Sequence, residues 1–184
     1  DAVFDGQKGD YTESDSPHPL GVYAETKLEG EHRVAEANPE AIIARVNLFG
    51  WGLGFKLSLS EFFVYNLKSG RQVKGFTDVY FCPLLANDLA HIFLKMLAAG
   101  LSGLYHVFSR ECLSKYDFGL RIARRFDLNE RLITPTSVAN SDLKARRSPR
   151  LIMNTSRIEQ ALGETLPDVS QGIESFYWLY RQGY

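Results

Sequence analysis

Two kinds of apolar pattern alternate along the 184 residues. The first is a short, nearly continuous apolar run. Residues 41–48 read "AIIARVNL", a β-branched stretch that fits a strand buried on both faces in a parallel sheet. Residues 103–109, "GLYHVFS", read the same way. The second kind has apolar residues at helical spacing broken by polar ones. It predicts helices over 22–37, roughly 57–69, "LAHIFLKMLAAG", "KYDFGLRIARRF" and from about Val169 onward. The first of these ends at "NPE", because Pro39 disfavours helical backbone at Asn38. Asn87 or Asp88 is the expected cap of the third helix. Ser114 opens the fourth, with Asp117 at the third position of a capping box. "AVFDG", residues 2–6, reads as the tail of a buried strand entering an Asp-Gly turn. The opening is therefore strand, helix, strand, the unit of a doubly wound α/β fold, and the alternation continues throughout.

Composition narrows the partners. The length fits one domain with a sizeable core. With 45% hydrophobic residues, 23% charged residues and a net charge of −1, nothing draws the chain generally toward nucleic acid or an anionic membrane. The longest apolar stretches, such as "FLKMLAAGL", are interrupted and too short to span a bilayer. Cys82 and Cys112 match no metal or Cys-x-x-Cys spacing, and two cysteines do not make a disulfide framework in a chain of this length. A reducing compartment is the simpler expectation, and with no leader pattern ahead of Asp1 the expected location is cytoplasmic.

Candidate chemistry centres on "VYAETKLEGEH", residues 22–32. Tyr23 and Lys27 stand four residues apart and share a helix face. An ammonium about 5 Å from a phenol favours the phenolate by about 3 kcal/mol at an effective dielectric near 20, roughly two pKa units. That brings a tyrosine toward general acid–base work on a carbonyl or alcohol. Alone, the spacing is weak. Its position is stronger, at a helix start between two buried strands, where open α/β sheets bind ligands. Gly30 costs helix stability, so that face is expected to pack closely.

Arg45 and Asn47 interrupt the 41–48 run near its C-terminal end. Arg45 reads as structural; Asn47 either satisfies backbone or faces the site. Trp51, in the next loop, either stacks on a base or sugar or plugs the packing. The basic run of Lys144, Arg146, Arg147 and Arg150 is either a solvated face or a diphosphate clamp, with Arg147 the first choice. His18, His91 and His106 share no metal-ligand spacing and read as structural, so no metal site is expected. Tyr11, Glu13 and Asp15 read as residues that order their loop.

The segment "YTESDSPHPLGVYAETKLEGE", followed by "ARVNLFG", "FTDVYFCPLLANDLA", "GLYHVFSRECLSKYDFGLRIARRF" and "RSPRLIMNTSRIEQALG", resembles the extended short-chain dehydrogenase/reductases. The similar subgroup is the dTDP-4-dehydrorhamnose reductase-like proteins that act on nucleotide sugars. The resemblance implies the C-terminal part of a doubly wound, Rossmann-like parallel sheet plus a small substrate-binding lobe. Residues 1–50 would complete the dinucleotide-binding domain. Residues 51–184 would form mainly the lobe, with 84–109 returning to the sheet. It implies that Tyr23 protonates a sugar carbonyl and that Lys27 holds the nicotinamide ribose and lowers the pKa of Tyr23. Asn47 would touch cofactor and substrate, and Trp51 and Arg147 the substrate. The cofactor would be NADP, with NAD as the alternative, and a homodimer is compatible with the family. The family's Ser or Thr that bonds the carbonyl, and its Gly-rich phosphate turn, fall ahead of Asp1, so the 184 residues alone are not expected to turn over. This sequence departs from the family pattern at Ala2, Gly21, Ala24, Thr26 and Ser148. Two alternatives share the resemblance: the regulatory subunit of methionine adenosyltransferase, which works by binding a partner enzyme, and the nucleotide-sugar epimerases and dehydratases.

Overall fold

A computed structural model of the chain describes residues 1–52, 54, 56–141 and 148–183. Helix α1 (Val22–Ala37) begins after Gly21, which brings no capping side chain, and stops at extended Asn38 as the Asn-Pro pair requires. Strand β1 (Ile42–Val46) follows and pairs in parallel with β6 (Gly103–Val107), Ile42 opposite Gly103 and Val46 opposite Val107. Immediately after β1, β2 (Leu48–Phe49) runs parallel to β5 (Leu84–Leu85). Helix α3 (Ala86–Ala98) links β5 to β6 and covers them with Leu89, Ile92 and Met96. The two parallel pairs and their connecting helix are the sheet portion of the α/β fold.

Apart from helix α5 (Ser156–Leu162), whose Ile158 joins Met96 and Val107 in the sheet core, the remaining elements form a lobe around a second core. Ser58 and Glu61 close a capping box at α2 (Leu59–Lys68). Strand β3 (Val73–Phe76) pairs in parallel with β8 (Ile133–Thr136), and β4 (Tyr80–Phe81) pairs antiparallel with β7 (Leu113–Ser114). Helix α4 (Lys115–Arg125) starts at Ser114, whose hydroxyl oxygen accepts from the Asp117 amide at 3.0 Å. Helix α5 (Ser156–Leu162) ends at left-handed Gly163, and α6 (Val169–Arg181) opens on an Asp168–Gln171 capping box. Phe49, Phe63, Phe118 and Phe176 lie at the centre of the lobe core, all essentially without solvent contact.

Four expectations change. Residues 2–6 form turns rather than a strand: Val3 and Phe4 are buried, but among the described residues β1 finds its ladder partner only in β6. Helix α3 starts at Ala86, with Leu85 before it and no side-chain cap, so neither Asn87 nor Asp88 performs that role. Gly30 packs against nothing, since a Cβ there would meet open space. A helical glycine that does permit close approach is Gly119, where a Cβ would fall 2.6 Å from the Phe63 ring and force α4 away from α2.

The cysteines are the fourth. The β4–β7 register sets Tyr80 opposite Ser114 and Phe81 opposite Leu113. One step further it sets Cys82 opposite Cys112, and their sulfurs are bonded, with Cα atoms 4.1 Å apart. A separation of 30 residues hides this pairing, which exists only once the two strands meet. Cysteine usage therefore no longer argues for a reducing compartment. Closing a loop of that length is worth roughly 3–4 kcal/mol through the unfolded chain. The urea midpoint of the Cys82→Ser/Cys112→Ser double variant should fall accordingly, and dithiothreitol should lower the wild-type midpoint while leaving the variant unmoved. A wild-type midpoint insensitive to reductant would argue against the bond in solution.

Candidate active site

Helix α1 presents Tyr23 in its first turn and Lys27 one turn on, both exposed, with the Lys27 ammonium 5.5 Å from the centre of the Tyr23 ring. The shared face expected from the spacing is therefore formed. Tyr23 opens onto a cleft of about 560 Å³. Asn47, at the carboxyl end of β1, lines the same cleft; its side-chain amide donates to the Asp1 carboxylate at 2.5 Å, and its backbone carbonyl accepts from the Leu84 amide at 2.9 Å. Tyr80 and Phe81 on β4 and Lys115 on α4 supply lining from the lobe. The cleft thus joins the carboxyl end of the parallel pair to the lobe, the place where α/β sheets hold ligands.

Half-buried Leu28 of α1 packs beside Phe4 and Phe108, but most of what holds α1 against the sheet is polar. Among its described residues only Ala24 is buried. Arg45, on β1 and only 5% exposed, reaches across to Glu31 on α1. Its Nη2 donates to Glu31 Oε2 at 2.7 Å and its Nε to both carboxylate oxygens at 3.0 and 3.1 Å. The guanidinium also lies 5.0 Å from the centre of the Phe4 ring. Glu31 is one turn beyond Lys27 and two beyond Tyr23, so this clamp sets where the pair stands.

His106, fully buried on β6, completes the network. Its Nδ1 lies 3.1 Å from the Tyr11 carbonyl oxygen, which can only accept, so Nδ1 carries the hydrogen. Nε2 is then free to accept from Arg45 Nη1 at 3.3 Å. Burial is the main reason its pKa falls from 6.5 to about 4, with Arg45 adding to the fall and Glu13 opposing it. Glu13 accepts from the His106 backbone amide at 2.8 Å, and Tyr11 donates its hydroxyl to Asp5 at 2.6 Å. Asp15 accepts from the Thr12 amide and from Lys8, whose ammonium holds its carboxyl down at about 2. Tyr11, Glu13 and Asp15 thus order the loop ahead of α1.

Of the remaining candidates, one lies elsewhere. Trp51 does not line the cleft. Its ring stacks on Phe176 at 4.2 Å and its Nε1 donates to the Phe176 carbonyl at 3.0 Å, so packing has used both its face and its polar edge. Arg147, with Lys144 and Arg146, lies outside the described residues. Arg150 is exposed; its backbone bridges to cleft-lining Tyr80 and its neighbours Ser148 and Leu151 line the cleft, but Arg150 itself does not. Sequence reasoning missed Tyr80 and Lys115. Both fall inside segments that carry the resemblance, but no spacing marks either as a site residue; a lysine at the first position of α4, beside the positive end of a helix dipole, is a faint signal.

This arrangement, a parallel α/β sheet with a Tyr-x-x-x-Lys helix beside a cleft shared with a lobe, is that of the Rossmann-like reductases. The chain belongs to the RmlD substrate binding domain family, which it matches over residues 1–182. It is 34% identical over 177 residues to "Probable low-salt glycan biosynthesis reductase Agl14" of Haloferax volcanii, covering 94% of this chain and 59% of that one. It is 30% identical over 189 residues to methionine adenosyltransferase 2 subunit beta of Mus musculus, covering 97% of this chain and 55% of that one. The crystal structure of a dTDP-4-dehydrorhamnose reductase from Clostridium acetobutylicum superposes with a TM-score of 0.89 at 27% identity, over 98% of this chain and 63% of that chain. The chain therefore spans a little over half the length of the proteins it matches.

The buried imidazole makes stability depend on pH. Above about pH 6.5 His106 is neutral folded or unfolded and contributes no slope. As pH falls from 6.5 toward 4 the unfolded chain takes up a proton that the folded chain refuses, so stability declines by on the order of 3 kcal/mol. Urea unfolding across pH 7 to 4 should show this decline, and His106→Gln should flatten it. An unchanged slope in that variant would contradict the assignment.

Proposed function

We propose that this chain supplies the proton donor and the substrate-binding part of an NAD(P)H-dependent reductase acting on a 4-keto-6-deoxy nucleotide sugar. The observation that carries the reading is the meeting of Tyr23 and Asn47 in one cleft, with the Lys27 ammonium beside the Tyr23 ring. The nicotinamide would deliver a hydride to the carbonyl carbon when bound. Tyr23 donates its phenolic proton to the carbonyl oxygen, and Lys27 stabilises the resulting negative charge on the phenolate and holds the ribose hydroxyls. Asn47, anchored through its backbone and to Asp1, orients the reacting end. Exposure of Tyr23 and Lys27 on the outer face of α1 suits this half of the cofactor. NADP is preferred over NAD on the resemblance alone.

A second reading draws on the likeness to methionine adenosyltransferase 2 subunit beta: a non-catalytic subunit that uses the same fold to bind a partner enzyme. One experiment separates the two. The protein encoded by the complete reading frame around these residues is assayed for NADPH oxidation with dTDP-4-dehydrorhamnose, as wild type and as Tyr23→Phe. The reductase reading expects turnover in the wild type and a loss of roughly a hundredfold or more in the variant, the size of a general-acid contribution. NADPH affinity should change little, and the 184 residues alone should not turn over. Tight NADPH binding without oxidation in the wild type would favour the binding subunit.

A further inference from the structure

We infer that the groove between helices α3 and α6 is the face on which two copies of this chain meet about a twofold axis. The groove shares no described lining residue with the Tyr23 cleft, so the inference stands apart from the reductase reading.

Both helices pack on β5, and the groove of about 520 Å³ between them is lined by Leu85 of that strand. Its rim is apolar and open. Trp178 on α6 is 60% exposed, and its indole N–H has no acceptor among the described residues. Trp51 differs, because Phe176 takes both its ring and its N–H. On α3, Leu94 and Leu97 lie about one and two turns beyond His91, which lines the groove, and are 64% and 66% exposed. A tryptophan and two leucines left in water beside one groove are apolar surface of the kind that interfaces cover.

The charges choose the occupant. Two arginines here are already committed: Arg125 pairs with Glu174 and lies 3.6 Å from the centre of the Tyr177 ring, and Arg110, in the adjoining cavity, pairs with Asp168 at 3.0 Å. Two opposite charges are left over. Asp88, half-buried where the groove meets that cavity, has no hydrogen bond among the described residues. Burial raises its pKa, and nearby His91 offsets this only in part. The dipole of α3 accounts for an acid in its first turn, but not for shielding that acid from water without a donor. Arg181, the last residue of α6, donates to the Tyr177 hydroxyl at 3.3 Å but meets no carboxylate among the described residues. Asp88 and Arg181 line one groove without pairing to each other. A patch with a spare anion, a spare cation and open apolar side chains is complementary to a copy of itself. In a twofold pair the two residues exchange partners, so Asp88 of each copy faces Arg181 of the other. A partner bringing only basic or only acidic groups would leave one of the two charges stranded.

Sedimentation velocity on the protein from the complete reading frame tests this, over a dilution series of about 1 to 100 μM. The wild type should pass from monomer to dimer within that range, and Trp178→Ala should raise the dissociation constant by roughly tenfold or more. Asp88→Lys alone and Arg181→Glu alone should each weaken the dimer roughly tenfold to a hundredfold, because each sets like charges face to face twice. An equimolar mixture of those two variants should recover the wild-type affinity within about threefold, since each then supplies the charge that the other needs. Mixing cannot cure a folding defect, and Trp178 and Arg181 are exposed, so their variants should keep the wild-type urea midpoint. A wild type that stays monomeric at the top of the series overturns the inference. So does a dimer that Trp178→Ala leaves unchanged, which would use another face. Single variants that weaken the dimer but do not recover on mixing overturn the reciprocal pairing on which the twofold arrangement rests.

Discussion

The clamp between Arg45 and Glu31 is the constraint on which the site depends. Helix α1 has no capping side chain and buries only Ala24, so apolar packing alone does little to fix it. A buried guanidinium on β1 is costly unless every donor is used. Here Glu31 takes Nε and Nη2, and the neutral imidazole of His106 takes Nη1. Removing one partner from such a pair typically costs about 3–5 kcal/mol, because the other charge is left stranded. The geometry of Tyr23 and Lys27 is thereby set from two turns away, by charges that never enter the cleft. The same network reaches the loop ahead of α1, because His106 also bonds to the Tyr11 carbonyl and through its backbone to Glu13.

The cleft inherits its division of labour from the fold. The parallel pair β1–β6 ends at Asn47 and brings α1 alongside, which gives one wall the groups suited to a carbonyl and its proton. The lobe packs around its own aromatic core and offers a different wall, with Lys115 and the β4 aromatics. Under the proposed reading, reaction and recognition would be carried by elements from separate cores. This division is compatible with one family including reductases of nucleotide sugars alongside a subunit of methionine adenosyltransferase. The chain spans 55–63% of the lengths of the three proteins compared.

Local rules made much of this legible. The start and stop of α1, the strand at 42–46 (though its apolar residues are half-buried and only Arg45 is buried), the Ser114 cap and the start of α6 are written in neighbouring residues, because capping, proline geometry and strand propensity act over a few positions. Arg45 could be read as structural because a charge inside a buried strand must find a partner nearby in space. The mistakes share one cause. Trp51 was equally suited to stacking on a ligand or on a neighbour, and Phe176, far along the chain, decided the matter. Gly30 and Gly119 look alike as helical glycines, and only the Phe63 ring distinguishes them.

The sequence by itself determined the α/β class, the placement of most helices and the Tyr-x-x-x-Lys face, since each depends on interactions within a few residues. Tertiary structure alone decided that Cys82 meets Cys112, that Asn47 rather than Trp51 reaches the cleft, and that Lys115 lines it. Those outcomes depend on strand register and on which helix packs over which sheet. Contacts between residues 30 to more than 100 positions apart fix these, and no local periodicity encodes them.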